Sequence, residues 1–137
     1  MGLYLCVFDD GDELEGVEVG SYADFAFFRH SVTERLEEGK TGANYPTLIL
    51  HSDCDGEWSP AECERLRAEL EDISKRFRDL PAVPFQADWQ KQVADLLGLK
   101  PTCLYESFID VDGEPLLERL RRLCDVALLN DQPILFQ

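Results

Sequence analysis

The sequence predicts an α/β domain, with α+β as the alternative: a small, partly parallel mixed sheet of about four strands packed with about four helices. Short apolar runs stopped by Asp, Gly and Pro alternate along the chain with segments whose apolar residues recur every three or four positions, the patterns of buried strand and amphipathic helix. A chain of 137 residues, 45% hydrophobic and 30% charged, has the size and composition of one soluble globular domain. It carries no linker, solenoid-length repeat or low-complexity segment, so residues 1–137 read as one unit. Connections that contain a helix usually join parallel strands by a right-handed crossover, which is why part of the sheet is expected to be parallel.

Leu3 to Phe8 is a nearly continuous apolar run that predicts a buried first strand, ended by the turn chemistry of Asp9-Asp10-Gly11-Asp12. Val17 and Val19 admit a short edge segment after it. Ser21 and Asp24 resemble a capping box, and Tyr22, Phe25, Phe28, Val32 and Leu36 follow at helical spacing until Gly39. Gly42 to Pro46 reads as a loop and Thr47 to Leu50 as a second buried strand. Ser59, Pro60 and Glu62 supply an N-cap, a proline at the first helical position and an acid at the third. The stripe Leu66, Leu70, Ile73, Phe77, Leu80 then predicts a long helix that Pro81 and Pro84 break. A shorter helix carries Trp89, Val93, Leu96 and Leu97 and closes at Gly98. Cys103 to Ile109 reads as a third strand, Leu116 to Leu128 as the last helix, and Pro133 to Phe136 as a final strand whose place in the sheet is open.

Thirteen Lys and Arg against 28 Asp and Glu give a formal charge of -15. Such a balance argues against direct binding of nucleic acid or anionic membrane and makes a basic protein the natural complement. Met1 to Phe8 lacks the positive segment and cleavage site of a secretory signal, and no apolar run approaches the roughly 20 residues of a membrane span. A cytoplasmic location is the expectation. The cysteines, Cys6, Cys54, Cys63, Cys103 and Cys124, are odd in number with no C-x-x-C pair, which fits a reducing compartment, and with His30 and His51 they match no structural zinc spacing. Neither a metal nor another cofactor is expected.

Each of the first three predicted strands runs into an acidic turn: Asp9-Asp10-Gly11-Asp12-Glu13, Asp53-Cys54-Asp55-Gly56-Glu57 and Asp110-Val111-Asp112-Gly113-Glu114. On parallel strands these turns would share the carboxyl edge of the sheet, where open α/β folds place ligands, and would form one acidic rim. Asp and Gly are also simply what turns and helix starts prefer. The second turn places His51, Asp53, Asp55, Gly56 and Glu62 at calcium-loop offsets, although His51 replaces the usual first Asp and Pro60 intrudes. Asp110-x-Asp112-Gly113 resembles the first motif of haloacid-dehalogenase-like phosphotransferases, in which the first Asp is nucleophile, the second general acid and base, and Mg2+ is required. The residues after it hold no lysine and no paired acidic metal motif, so the context of that enzyme is missing. His51 and Cys54 lie close in sequence, which alone does not make a catalytic pair. Trp58, flanked by Glu57 and Ser59, is either an anchor facing a basic partner or packing beneath the helix start.

Met1 to Asp9, Glu15 to Phe25, Pro46 to Pro60, Phe108 to Pro115 and Gln132 to Gln137 resemble the bacterial family called immunity protein 70, across essentially the whole chain. The resemblance implies a component of a polymorphic toxin system that binds and neutralises a cognate toxin domain, and it brings no catalytic residues. With the charge balance, it makes a basic toxin the expected partner. Asp9, Asp10, Asp12, Asp53, Asp55, Glu57, Trp58, Asp110 and Asp112 are the expected partner-binding residues. A divalent-cation-binding or phosphotransferase domain built on the same turns is the rival reading, as is a scaffold marked by a large exposed apolar patch.

Overall fold

The computed structural model describes residues 2–52 and 55–137. Strand β1, Gly2–Asp9, pairs along its length with β2, Asp12–Ser21, through a hairpin whose two loop residues, Asp10 and Gly11, have φ of 54° and 83°. Two successive positive φ values make the turn whose twist suits a hairpin, and Asp-Gly is a preferred sequence for it. The edge segment expected around Val17 and Val19 is thus a strand of 10 residues.

Ser21 caps helix α1, Tyr22–Leu36, in the predicted reciprocal box with Asp24. Residues 47–50 form no strand. They lie in and just after a short helix, α2, Pro46–Ile49, with Pro46 at its first position and the Thr47 and Leu48 N–H groups donating to the Glu69 carboxylate. Strand β3 is Glu57–Trp58, and α3, Pro60–Phe77, follows from the predicted Ser59–Glu62 box and buries Leu66, Leu70, Ile73 and Phe77. Each such side chain contributes roughly 1.5–3 kcal/mol by leaving water. Helix α4, Asp88–Leu97, ends at Gly98 in the left-handed conformation, as its sequence predicts. The expected strand at 103–109 is instead a 3-10 turn, Leu104–Ser107, with one isolated bridge from Ile109 to Pro115. Helix α5, Leu116–Asn130, leads to β4, Ile134–Phe136.

The domain is α+β. The sheet has the order β2-β1-β4-β3 and every pairing is antiparallel, which corrects the expected partly parallel sheet. The crossover rule supposes consecutive strands joined through a helix and lying side by side in parallel. Here β1 and β2 form a hairpin, and β4 arrives only after α3, α4 and α5, inserting between β1 and β3. The described helices number five, besides the 3-10 turn.

Both outer edges of the sheet are occupied. Val111 N–H donates to Glu18 O at 3.1 Å and Arg119 to Gly16 O at 2.7 Å along β2, while a His51 ring nitrogen lies 2.8 Å from Glu57 O on β3. Strand addition by a second chain is thereby obstructed.

Candidate functional site

The sheet register places the acidic turns. Asp9 pairs with Asp12 at the hairpin tip, and Gln132, just before β4, donates to Asp9. Glu57 pairs with Leu135, which also faces Cys6, so Asp55 lies toward the start of β1, roughly 17 Å along the strands from the tip by strand rise. The turn 110–114 runs along the outside of β2 beside Gly16 and Glu18. An antiparallel sheet sends alternate strand ends to opposite sides, so the turns do not converge on one rim. Asp10, Asp12, Asp55, Glu57 and Asp112 are exposed and Asp9 is half-buried, whereas Asp53 and Cys54 lie outside the described residues.

Asp110 is wholly buried. One of its oxygens accepts from the N–H groups of Asp112 and Glu114, both at 3.0 Å, and the other binds Arg119 at 2.8 Å. Arg119, also buried, reaches Glu114 at 2.8 Å and lies 3.6 Å from both Glu15 and Asp112. Burial pushes the Asp110 carboxyl above its ordinary value against the pull of the Glu114 N–H, Arg119 and the Asp112 N–H. A nucleophilic carboxylate needs an open path to its phosphate, and Asp110 has none. The third turn is a structural device that holds Arg119 against β2, and Asp110 presents no surface to a partner.

Trp58 is 1% exposed and its indole N–H donates to Thr47 O at 3.0 Å, which decides for packing beneath the helix start. It sits edge-on to Phe136, and the His51 ring stacks on Phe136 at 4.5 Å between centroids. Both His51 nitrogens face backbone carbonyls, Ser52 O and Glu57 O, each at 2.8 Å, so the ring is engaged in fixing its loop. Among the described residues no group of three or more His, Cys, Asp and Glu side chains is placed to hold a metal ion.

A different surface stands out from the fold. The strand residues of the hydrophobic core, Leu3, Leu5, Val7, Val17, Val19, Trp58, Ile134 and Phe136, all come from one face of the sheet. Side chains alternate across a sheet, and the registers put Tyr4, Cys6, Phe8, Gly16, Leu135 and three glutamates, Glu13, Glu18 and Glu57, on the other. Cys6 is buried there, Tyr4, Phe8 and Leu135 are half-buried, and the glutamates are exposed. Tyr4 packs against Gly16, where a Cβ would overlap its hydroxyl, and donates to Glu13 at 2.6 Å. That hydrogen bond, with burial and the neighbouring Glu13 and Glu18 charges, raises the Tyr4 phenol to about 12. Burial and Glu13 raise the Cys6 thiol. An apolar centre with a charged rim is the anatomy of a protein-binding surface.

A sequence profile for the family described as immunity protein 70 matches residues 3–136, nearly the whole chain. The chain belongs to the immunity protein 70 family. No curated protein and no solved structure matches it. Membership supports an immunity function and implies a cognate toxin protein as partner; it also points to a role other than catalysis. Among the described residues no helix is long and apolar enough to cross a membrane. The surface centred on Tyr4, Phe8 and Leu135 is the face of the sheet opposite the hydrophobic core. Of the residues expected from sequence it includes Glu57 alone. Tyr4, Phe8, Glu13, Glu18 and Leu135 were not among the residues expected from sequence, although the unbroken apolar run of β1 already signalled that its second face is not purely polar.

Proposed function

We propose that this protein neutralises its cognate toxin by laying the face of its sheet opposite the hydrophobic core on a basic surface of the toxin. The observation that carries the reading is the apolar patch of Tyr4, Phe8 and Leu135 ringed by Glu13, Glu18 and Glu57. None of these glutamates joins an ion pair among the described residues, where every pair uses Arg67, Arg76, Arg119, Arg121 or Arg122. Their charge is left for a partner. Asp10, Asp12, Asp55 and Asp112 add to the negative field that steers a basic toxin toward the surface, while the buried apolar contacts supply the slow dissociation.

The experiment is growth rescue by co-expression with the toxin domain encoded beside this gene, followed by capture of the complex. Rescue with a stable complex is expected, and the triple variant Glu13→Lys, Glu18→Lys, Glu57→Lys should lower affinity on the order of 100-fold. A folded triple variant that rescues as well as the wild type would move the interface elsewhere, and a wild type that neither rescues nor binds would end the immunity reading.

A further inference from the structure

A cavity of about 680 Å³ opens beside the start of β1 and the end of β2, where α4 leans over the N-terminus of α1. Leu3, Tyr4, Trp89 and Val93 give it apolar and aromatic walls, and Asp24 and Glu18 are its carboxylates. Its volume lies within the range of roughly 300–1,000 Å³ typical of ligand pockets. Asp24 is the capping acid of α1, and one of its oxygens accepts from Ser21 N, Ser21 Oγ and the Trp89 indole at 2.8, 2.9 and 2.9 Å. Its other oxygen has no hydrogen-bond partner among the described residues, and neither Asp24 nor Glu18 is ion-paired there. The Trp89–Asp24 bond fixes the ring beside the carboxylate. Tyr4 and Glu18 also belong to the sheet face opposite the core, so cavity and face form one continuous surface.

We infer that this cavity receives an arginine side chain of the toxin, its guanidinium between Asp24 and Glu18 and its stem along Leu3, Val93 and Trp89. The inference rests on the immunity reading above. Two carboxylates without counter-ions in an apolar hollow call for a cation, and the aromatic walls select its kind. A planar guanidinium bonds a carboxylate in a fork and stacks on an aromatic face, whereas a lysine ammonium is a compact, strongly hydrated point charge.

The test has two arms. In the first, N-acetyl-arginine amide is titrated into the wild-type chain and the Trp89 indole N–H resonance is followed, with N-acetyl-norleucine amide as control. Saturable movement with the arginine compound alone is expected, lost in Val93→Trp, which fills the cavity; no movement overturns the inference. In the second arm, Val93→Trp and Glu18→Gln are each expected to weaken toxin binding at least tenfold. Glu18→Gln also thins the rim of the larger face, so the titration of the first arm decides alone if Val93→Trp does not fold. Wild-type binding that both folded variants retain overturns the cavity and leaves the immunity reading standing, whereas no wild-type binding overturns that reading itself.

Discussion

The turns 9–13 and 110–114 are made of the same materials, aspartates around a glycine with a glutamate at the end, and the fold uses them in opposite ways. At the hairpin tip Asp10 and Asp12 stand in water, and the described side chains that reach the turn, Gln132 on Asp9 and Tyr4 on Glu13, bring no positive charge. Along β2 the first aspartate of the other turn is sealed from solvent, bound to two N–H groups and to Arg119. The difference is the supply of donors. An acidic segment becomes structural where the rest of the fold delivers a cation, and remains free for a partner where it does not. The largest expected effect therefore lies in withdrawing that cation. Arg119→Leu leaves Asp110 buried without its counter-charge and should cost about 3–5 kcal/mol in denaturant unfolding. Arg119 carries a cost of its own, since its Nε is buried with no hydrogen-bond partner among the described residues. The double variant with Asp110→Asn should recover part of the loss, because the amide oxygen still accepts from Asp112 and Glu114 while the buried charge is gone. No recovery would break the comparison.

Glu37 sharpens it with a different kind of donor. This carboxylate follows α1, is 2% exposed, and accepts from Thr33 Oγ1, Gly42 N, Asn44 N and Tyr45 N at 2.8–3.0 Å, with no cation paired to it among the described residues. Burial alone would raise its titration, but the Tyr45 and Asn44 N–H groups, the Thr33 hydroxyl and the Gly42 N–H hold it below the ordinary value. A carboxyl whose folded value is depressed adds stability that is present above its unfolded value, near 4.3, and is lost as pH falls through the folded one. Glu37→Gln should thus cost about 2 kcal/mol at neutral pH, because the amide NH2 turns a donor toward donors. It should also flatten the stability profile below about pH 4.3. A variant whose acid limb matches the wild type would show that Glu37 is not the group concerned.

What could be read from the sequence follows the same division between local and remote causes. The boxes Ser21–Asp24 and Ser59–Glu62, the α3 stripe and the Gly98 cap are local devices, and the structure contains each of them. The apolar runs at 47–50 and 103–109 are too short for periodicity to separate strand from helical turn, and remote contacts decided them: Glu69 caps α2, and Leu104 N–H is held by Leu80 O. Glu57 and Trp58 are neighbours on one strand, so they face opposite ways, and only one of the pair could be exposed. Asp110 was beyond sequence reasoning because its partner sits on α5 and is brought to it only by packing against β2.

The smallest expected effect on stability is at the hairpin tip, where Asp12 pairs directly with Asp9 and neither has a cation beside it among the described residues. Like charges opposite one another on paired strands repel, so Asp12→Lys should leave stability within about 0.5 kcal/mol of the wild type or raise it slightly. The same change removes negative charge from the field that guides a basic toxin. Its effect should appear in the association rate, most strongly at low salt, with dissociation nearly unchanged. Stopped-flow mixing with the toxin at two ionic strengths separates the two. A large loss of stability would show that the tip is as structural as the turn on Arg119, and a faster dissociation with unchanged association would make Asp12 a contact within the interface.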